Sequence, residues 1–215
     1  MQNDSVNVAC QSSASGPEPL QLSRRFFVLA APAILTTACT PAMHSAGSYG
    51  TVSEGRVTLP AMDTSNVNPR WLRQTVAYAG GEAPGTIVVR PSERHLYFVT
   101  GRGTAIRYGV GVGRPGFSWG GNQTITRKAE WPDWRPPAQM LRRRPDLPRF
   151  MAGGPDNPLG ARAMYLGSSL YRIHGSNEPH TIGTAVSSGC FRLTNDDVID
   201  LYSRVRVGTR VVVLR

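Results

Sequence analysis

The chain has 215 residues, 40% of them apolar and 18% charged, with 23 Gly and 17 Pro spread along it and a formal net charge of +10. Such a length holds about one domain once a removable leader is set aside, and the Gly and Pro content suits a loop-rich β protein better than a helical bundle. The positive charge attracts polyanions in general, but the densest basic run is only Arg142-Arg143-Arg144, without zinc-finger spacing or a basic heptad array, so no nucleic-acid site is expected.

The N-terminus reads as an address. Ser23-Arg24-Arg25-Phe26-Phe27-Val28 leads into an apolar run ending at Leu35, followed by Thr36-Thr37-Ala38-Cys39. Ten or so apolar residues are too few to span a bilayer, which takes about 20 in a helix. A basic start, a short apolar stretch and small residues make a cleavable signal, and the paired Arg resembles a twin-arginine export signal. Residues 1–38 are therefore expected to be removed. Thr37-Ala38-Cys39 looks like a lipoprotein processing site that would leave Cys39 acylated and in contact with a membrane; ordinary cleavage after Ala38 or Ala46 is the alternative. Residues 40–66, rich in Pro, Ala, Gly, Ser and Thr, have no apolar periodicity and read as a tether.

A short helix is expected over Asn68 to Tyr78, completing a linking region over 39–83. From there the pattern turns to short β-branched and aromatic runs. Thr86 to Arg90 and His95 to Thr100 form a hairpin across Pro91-Ser92-Glu93. Ala105 to Val112 is a third strand and Gln123 to Lys128 a weaker fourth, followed by an irregular stretch from Trp131 to Pro137. Further strands are expected at Leu159 to Gly167, Leu170 to His174 and Thr209 to Leu214. The clearest helix starts at Thr194 or Asn195, with Asp196 and Asp197 in its first turn. Its Val198, Leu201, Tyr202 and Val205 form one apolar stripe.

Gly111-Val112-Gly113-Arg114-Pro115-Gly116 matches a dinucleotide-binding string, but Pro115 and Gly116 lead into a loop instead of the helix that the motif must open. Its glycines are read as serving turns and close strand packing. His95 and His180 are read as strand-face or loop residues. Trp119, Trp131 and Trp134 pack a long loop or wall a groove.

Of three cysteines, Cys10, Cys39 and Cys190, only Cys190 remains a free thiol once the leader is cut and Cys39 acylated. A free thiol in an oxidising compartment is a liability unless its reactivity is used. Cysteine attacks carbonyls as thiolate and needs a base beside it. His174 in Tyr171-Arg172-Ile173-His174-Gly175-Ser176 can be that base for Cys190 in Ser187-Ser188-Gly189-Cys190-Phe191-Arg192. In extended segments Arg172 shares a face with His174, and Arg192 with Cys190. Two guanidiniums beside a thiol suit a carboxylate-bearing substrate. Without further context, a buried Cys and a hydrogen-bonded structural His remain the alternative.

From about Pro84 to the C-terminus the chain resembles the L,D-transpeptidase (YkuD-type) catalytic domains. The resemblance rests on His174-Gly175-Ser176, a loop with Ile182-Gly183, and Ser187-Ser188-Gly189-Cys190-Phe191-Arg192. Asn157-Pro158-Leu159-Gly160 and the closing Gly208 to Val213 also agree. It implies a mainly β, sandwich-like catalytic domain over 84–215 with one or two short packed helices. It further implies Cys190 as nucleophile and His174 as base, with Gly175, Ser187 and Gly189 shaping the site through backbone groups and Arg192 at a polar substrate position. Ser188 stands where many members carry His.

By the same resemblance the expected reaction is acyl transfer on peptidoglycan stem peptides, without metal or cofactor. Cys190 attacks the third-residue carbonyl of a tetrapeptide, D-Ala leaves, and an amine of another stem or of an envelope protein takes the acyl group in the periplasm. A hydrolase using the same site and a non-catalytic wall-binding module are the rivals.

Overall fold

The computed structural model describes residues 49–55 and 57–215. The expected leader, its Arg pair and the Cys39 processing site lie outside the described residues.

Among the described residues, thirteen strands and two α-helices follow in order. They are β1 Val52–Glu54, β2 Val57–Leu59, β3 Gln74–Ala77, β4 Ile87–Arg90, β5 His95–Gly101, β6 Thr104–Gly109, β7 Val112–Gly113, β8 Gly121–Glu130, α1 Ala138–Arg143, β9 Arg162–Leu166, β10 Arg172–His174, β11 Ala185–Ser187, β12 Phe191–Arg192, α2 Asn195–Arg204 and β13 Arg210–Val213. Nine strands hydrogen-bond in the order β12-β10-β9-β8-β13-β4-β5-β6-β3, while β1 pairs with β2 and β11 with β7.

The long strand β8 joins the two halves of this sheet. Its first residues, Gly121 to Thr124, pair with β13, and the rest pair with β9 across a register shift between Ile125 and Arg127. Such an irregularity bends a strand. Residues from both halves then bury into one core: Ile87, Val89, Leu96, Phe98, Tyr108 and Val211 from one side meet Met164, Leu166, Ile173 and Phe191 from the other. Period-two alternation sends Val88, Val99 and Ala105 to a smaller cluster on the opposite face with Tyr78.

The C-terminal helix forms where its caps and stripe place it. Thr194 is the N-cap and its hydroxyl accepts from the Asp197 N–H. Val198 and Leu201 are fully buried, and Val205 nearly so, against the core. The α2 carboxylates are tied both to β6 and to the segment just before β3. The Tyr108 hydroxyl donates to Asp200 at 2.6 Å, and Arg73 lies 3.5 Å from Asp200 and 3.7 Å from Asp197.

Two expectations fail upstream of β4. The helix foreseen over Asn68 to Tyr78 is one 3₁₀ turn, Pro69–Trp71, started by Pro69 and capped by Asn68, and the chain then extends as β3. Gln74 to Ala77 add an edge strand to β6, so tertiary pairing outweighs a weak local helix preference. In the stretch read as a tether, β1 and β2 form a hairpin whose Glu54 pairs with Arg162 and accepts from Trp131 Nε1. The helix α1 appears directly after Pro136-Pro137, beyond the stretch read as irregular.

Because Leu201 fills the contact between α2 and the sheet, Leu201→Ala should lower the free energy of unfolding by about 2–5 kcal/mol. Urea titration measures it, and a loss under about 1 kcal/mol would show that α2 is not part of the cooperative core.

Candidate active site

The site grows from one pair of strands. β12 lies parallel to β10, with Ile173 opposite Phe191 and His174 opposite Arg192. Ile173 and Phe191 are buried at 0% and 2% exposure. Since neighbours along a strand point to opposite faces, Arg172, His174 and Arg192 turn away from the core together. Continuing the register one residue back sets Cys190 beside Arg172. Two short motifs, Arg-x-His and Cys-x-Arg, thus become four side chains on one face, and all four line a groove of about 1000 Å³.

His174 is buried, and its Nδ1 lies 2.6 Å from the Gly175 carbonyl oxygen. A carbonyl only accepts, so Nδ1 carries the hydrogen and Nε2 keeps the lone pair a base needs. Gly175 must be glycine: a Cβ there would lie 2.4 Å from Asn195 Oδ1 and 3.0 Å from Val198 Cγ1. Asn195 in turn accepts from the Ala161 N–H at 2.9 Å, so the first turn of α2 props the start of β9, the strand paired with the one that carries the imidazole.

The nucleophile loop is held separately. The Ser187 hydroxyl donates to the Cys190 carbonyl at 2.6 Å and accepts from the Gly189 N–H at 3.1 Å. Gly189 has φ +104°, and a Cβ on it would sit 2.5 Å from the Tyr171 ring. Trp119 stacks on Tyr171 with centroids 4.4 Å apart and donates its Nε1–H to the Gly189 carbonyl at 2.7 Å. Ser187 therefore acts through its hydroxyl as well as its backbone. The Gly189 amide, one of the backbone groups expected to shape the site, is committed to Ser187 in this conformation.

Charge around the pair is unusual. Burial, helped by the Arg192 and Arg172 guanidiniums, holds the His174 pKa down to about 3, against the opposing pull of the Gly175 carbonyl. Burial also raises the Cys190 thiol, although Arg172 and Arg192 pull it the other way. Both effects disfavour a charged pair. At neutral pH the free site thus holds a neutral imidazole and a protonated thiol, not the resting thiolate and imidazolium that a Cys beside a His suggests.

The remaining candidates are also placed. Ser188 lines the groove half-exposed, and Arg192 lines it with its guanidinium on Glu178 at 2.9 Å. Trp134 lines the groove and Trp131 packs against the β1–β2 hairpin, while Trp119 braces the nucleophile loop. His95 sits on a strand face with Nε2 at 2.9 Å from the Arg70 carbonyl oxygen, and exposed His180 belongs to a 3₁₀ turn, Pro179–Thr181. The Gly111 to Gly116 string ends in a turn and loop, with no helix before β8. Sequence gives Tyr171 no site role and Asn195 only that of a helix start; an aromatic two residues before a buried strand position and a helix-start Asn carry no distinctive signal of a site. Among the described residues no group of three or more His, Cys, Asp or Glu could hold a metal ion.

A model of the YkuD family, the L,D-transpeptidase catalytic domain, matches residues 84–213. The probable L,D-transpeptidase ErfK/SrfK of Escherichia coli strain K12 is 41% identical over 135 residues, 60% of this chain and 43% of that protein. The putative L,D-transpeptidase YkuD of Bacillus subtilis strain 168 is 51% identical over 61 residues, 28% of this chain and 37% of that protein. The matched part of the chain spans less than half the length of these curated relatives. Among solved structures, the Ldtfm-avibactam carbamoyl enzyme is 18% identical with a TM-score of 0.50, covering 62% of this chain and 50% of that one, a likeness of fold.

A neutral, raised thiol makes a direct prediction. Alkylation of Cys190 by iodoacetamide should rise about tenfold per pH unit from pH 6 to 8, following the small thiolate fraction. A rate that is already flat between pH 5 and 7, read by intact-protein mass, would mean a resting thiolate and contradict the assignment.

Proposed function

The chain belongs to the YkuD family of L,D-transpeptidase catalytic domains, and from that membership and the site geometry we propose that it is a cysteine acyltransferase acting on peptidoglycan stem peptides. The observation that carries the reading is the placement of Cys190 and His174 on one face of paired strands in one groove, with the His174 Nδ1–H fixed on the Gly175 carbonyl.

In this mechanism His174 Nε2 takes the thiol proton as Cys190 Sγ attacks the carbonyl carbon at the third residue of a tetrapeptide stem. The neutral pair acquires charge only as the bond forms, and Arg172 beside the sulfur offsets the negative charge that develops. The tetrahedral adduct collapses, the carbon–nitrogen bond to the terminal D-Ala breaks, and the imidazolium returns its proton to the leaving amine. A thioester on Cys190 remains. An incoming amine, from a second stem or from an envelope protein, attacks it and gives its proton to His174, and the thiol is regenerated. A site that receives the acceptor in line while limiting water favours transfer over hydrolysis.

The same reading puts the enzyme on the periplasmic side of a membrane. Residues 1–38 serve as its export signal, of the twin-arginine type, and Cys39 as a lipid attachment point.

Incubation with a tetrapeptide stem should add one tripeptide acyl group to the protein, lost in Cys190→Ala, and then yield a dimer joined between two third residues. Intact-protein and product mass spectrometry measure both. Decay of the adduct to free tripeptide alone, with abundant acceptor amine, would make the protein a hydrolase; no adduct with any stem would remove both enzymatic readings.

A further inference from the structure

The groove contains a second set of cations that the acyl-transfer steps do not use. Arg114 follows β7 and Arg143 ends α1, yet both bring their guanidinium carbons to the ring of Phe117, at 4.2 and 5.4 Å from its centroid. All three line the groove that holds Cys190. Their neighbours are neutralised: Arg144 is gripped by Asp146 and Arg192 by Glu178. Among the described residues, neither Arg114 nor Arg143 has a carboxylate partner.

Two like charges gathered on one ring repel each other, and the ring returns only about 0.5–1 kcal/mol to each at an exposed site. An anion bound by both guanidiniums would offset the repulsion and gain charge-assisted hydrogen bonds from each fork. Backbone bonds set the positions of Arg114 and Phe117. The Phe117 N–H donates to the Arg114 carbonyl at 2.9 Å, and the Arg114 N–H donates to the Ser187 carbonyl at 3.0 Å. The Phe117 carbonyl oxygen lies 3.3 Å from where a Cβ on Gly189 would be, so the ring is anchored to the nucleophile loop itself.

We propose that Arg114, Arg143 and Phe117 form a carboxylate subsite that holds the donor peptide by a free carboxylate other than those beside the reacting carbonyl. The inference rests on the acyl-transfer reading for the identity of the peptide. Arg172 serves the reacting end, next to the thiol and the imidazole, whereas Arg114 and Arg143 set a second anchor one loop away. The subsite makes the enzyme selective for stems whose second residue keeps a free carboxylate over stems in which it is a carboxamide, a group of similar shape without the charge.

The test is equilibrium binding to the full chain, read by Trp fluorescence, with two tetrapeptide stems that differ only in carboxylate or carboxamide at the second residue. Wild type should bind the carboxylate form at least about tenfold more tightly. The double variant Arg114→Gln, Arg143→Gln should bind both alike while keeping the wild-type urea unfolding midpoint, which guards against a folding defect. Equal affinities in wild type, no measurable binding of either peptide, or a preference that survives the double variant overturns the subsite. Adduct formation on Cys190, followed with the same peptides, tests the acyl-transfer reading separately, because the affinities decide the subsite whether or not turnover occurs.

Discussion

The site depends on the parallel register of two very short strands. Ile173 and Phe191 face each other in the core, and that contact turns Arg172, His174, Cys190 and Arg192 outward as a group. A slip of one residue would reverse every side chain on the slipped strand, burying Cys190 and Arg192 and exposing Phe191. Strands of two and three residues cannot hold such a register unaided. Its support comes from around them: β9 pairs with the other edge of β10, the Leu193 N–H donates to the His174 carbonyl, and the Gly175 N–H donates to the Arg162 carbonyl. Ser187, Trp119 and Asn195 then fix the loops that enter and leave the pair.

Burial sets the chemistry as much as geometry does. An imidazole held down to about 3 stays a neutral base near neutral pH, and a raised thiol stays protonated until a substrate arrives. The site therefore keeps its nucleophile quiet and creates charge only during attack, when Arg172 is already in place to receive it. This arrangement limits side reactions of Cys190, the free thiol among the described residues. It also gives the arginines a double effect, since the same charges that favour the thiolate disfavour an imidazolium.

Much of this was legible in the sequence because local and global preferences agree. The hairpin around Pro91, the final strand and α2 with its Thr194 cap each follow from a short run of residues. The Arg-x-His and Cys-x-Arg faces were legible singly, but the register joining them was not, since pairing is a property of two segments. The region before β4 misled for a related reason: Gln74 to Ala77 become a strand only because the edge of β6 is open to them. The Glu54 contacts with Arg162 and Trp131 likewise join distant segments that composition alone reads as a tether and a loop. The pKa of His174 could not be read from sequence, because burial is its largest cause.

The most direct test of this account is the state of one ring. Long-range ¹H–¹⁵N NMR of the His174 imidazole, followed from pH 8 to pH 5 in the free protein, reports both its tautomer and its protonation. The structure predicts a neutral ring throughout, with the hydrogen on Nδ1 and Nε2 unprotonated. An imidazolium already formed at pH 6, or a neutral ring with its hydrogen on Nε2, would contradict the proposed base.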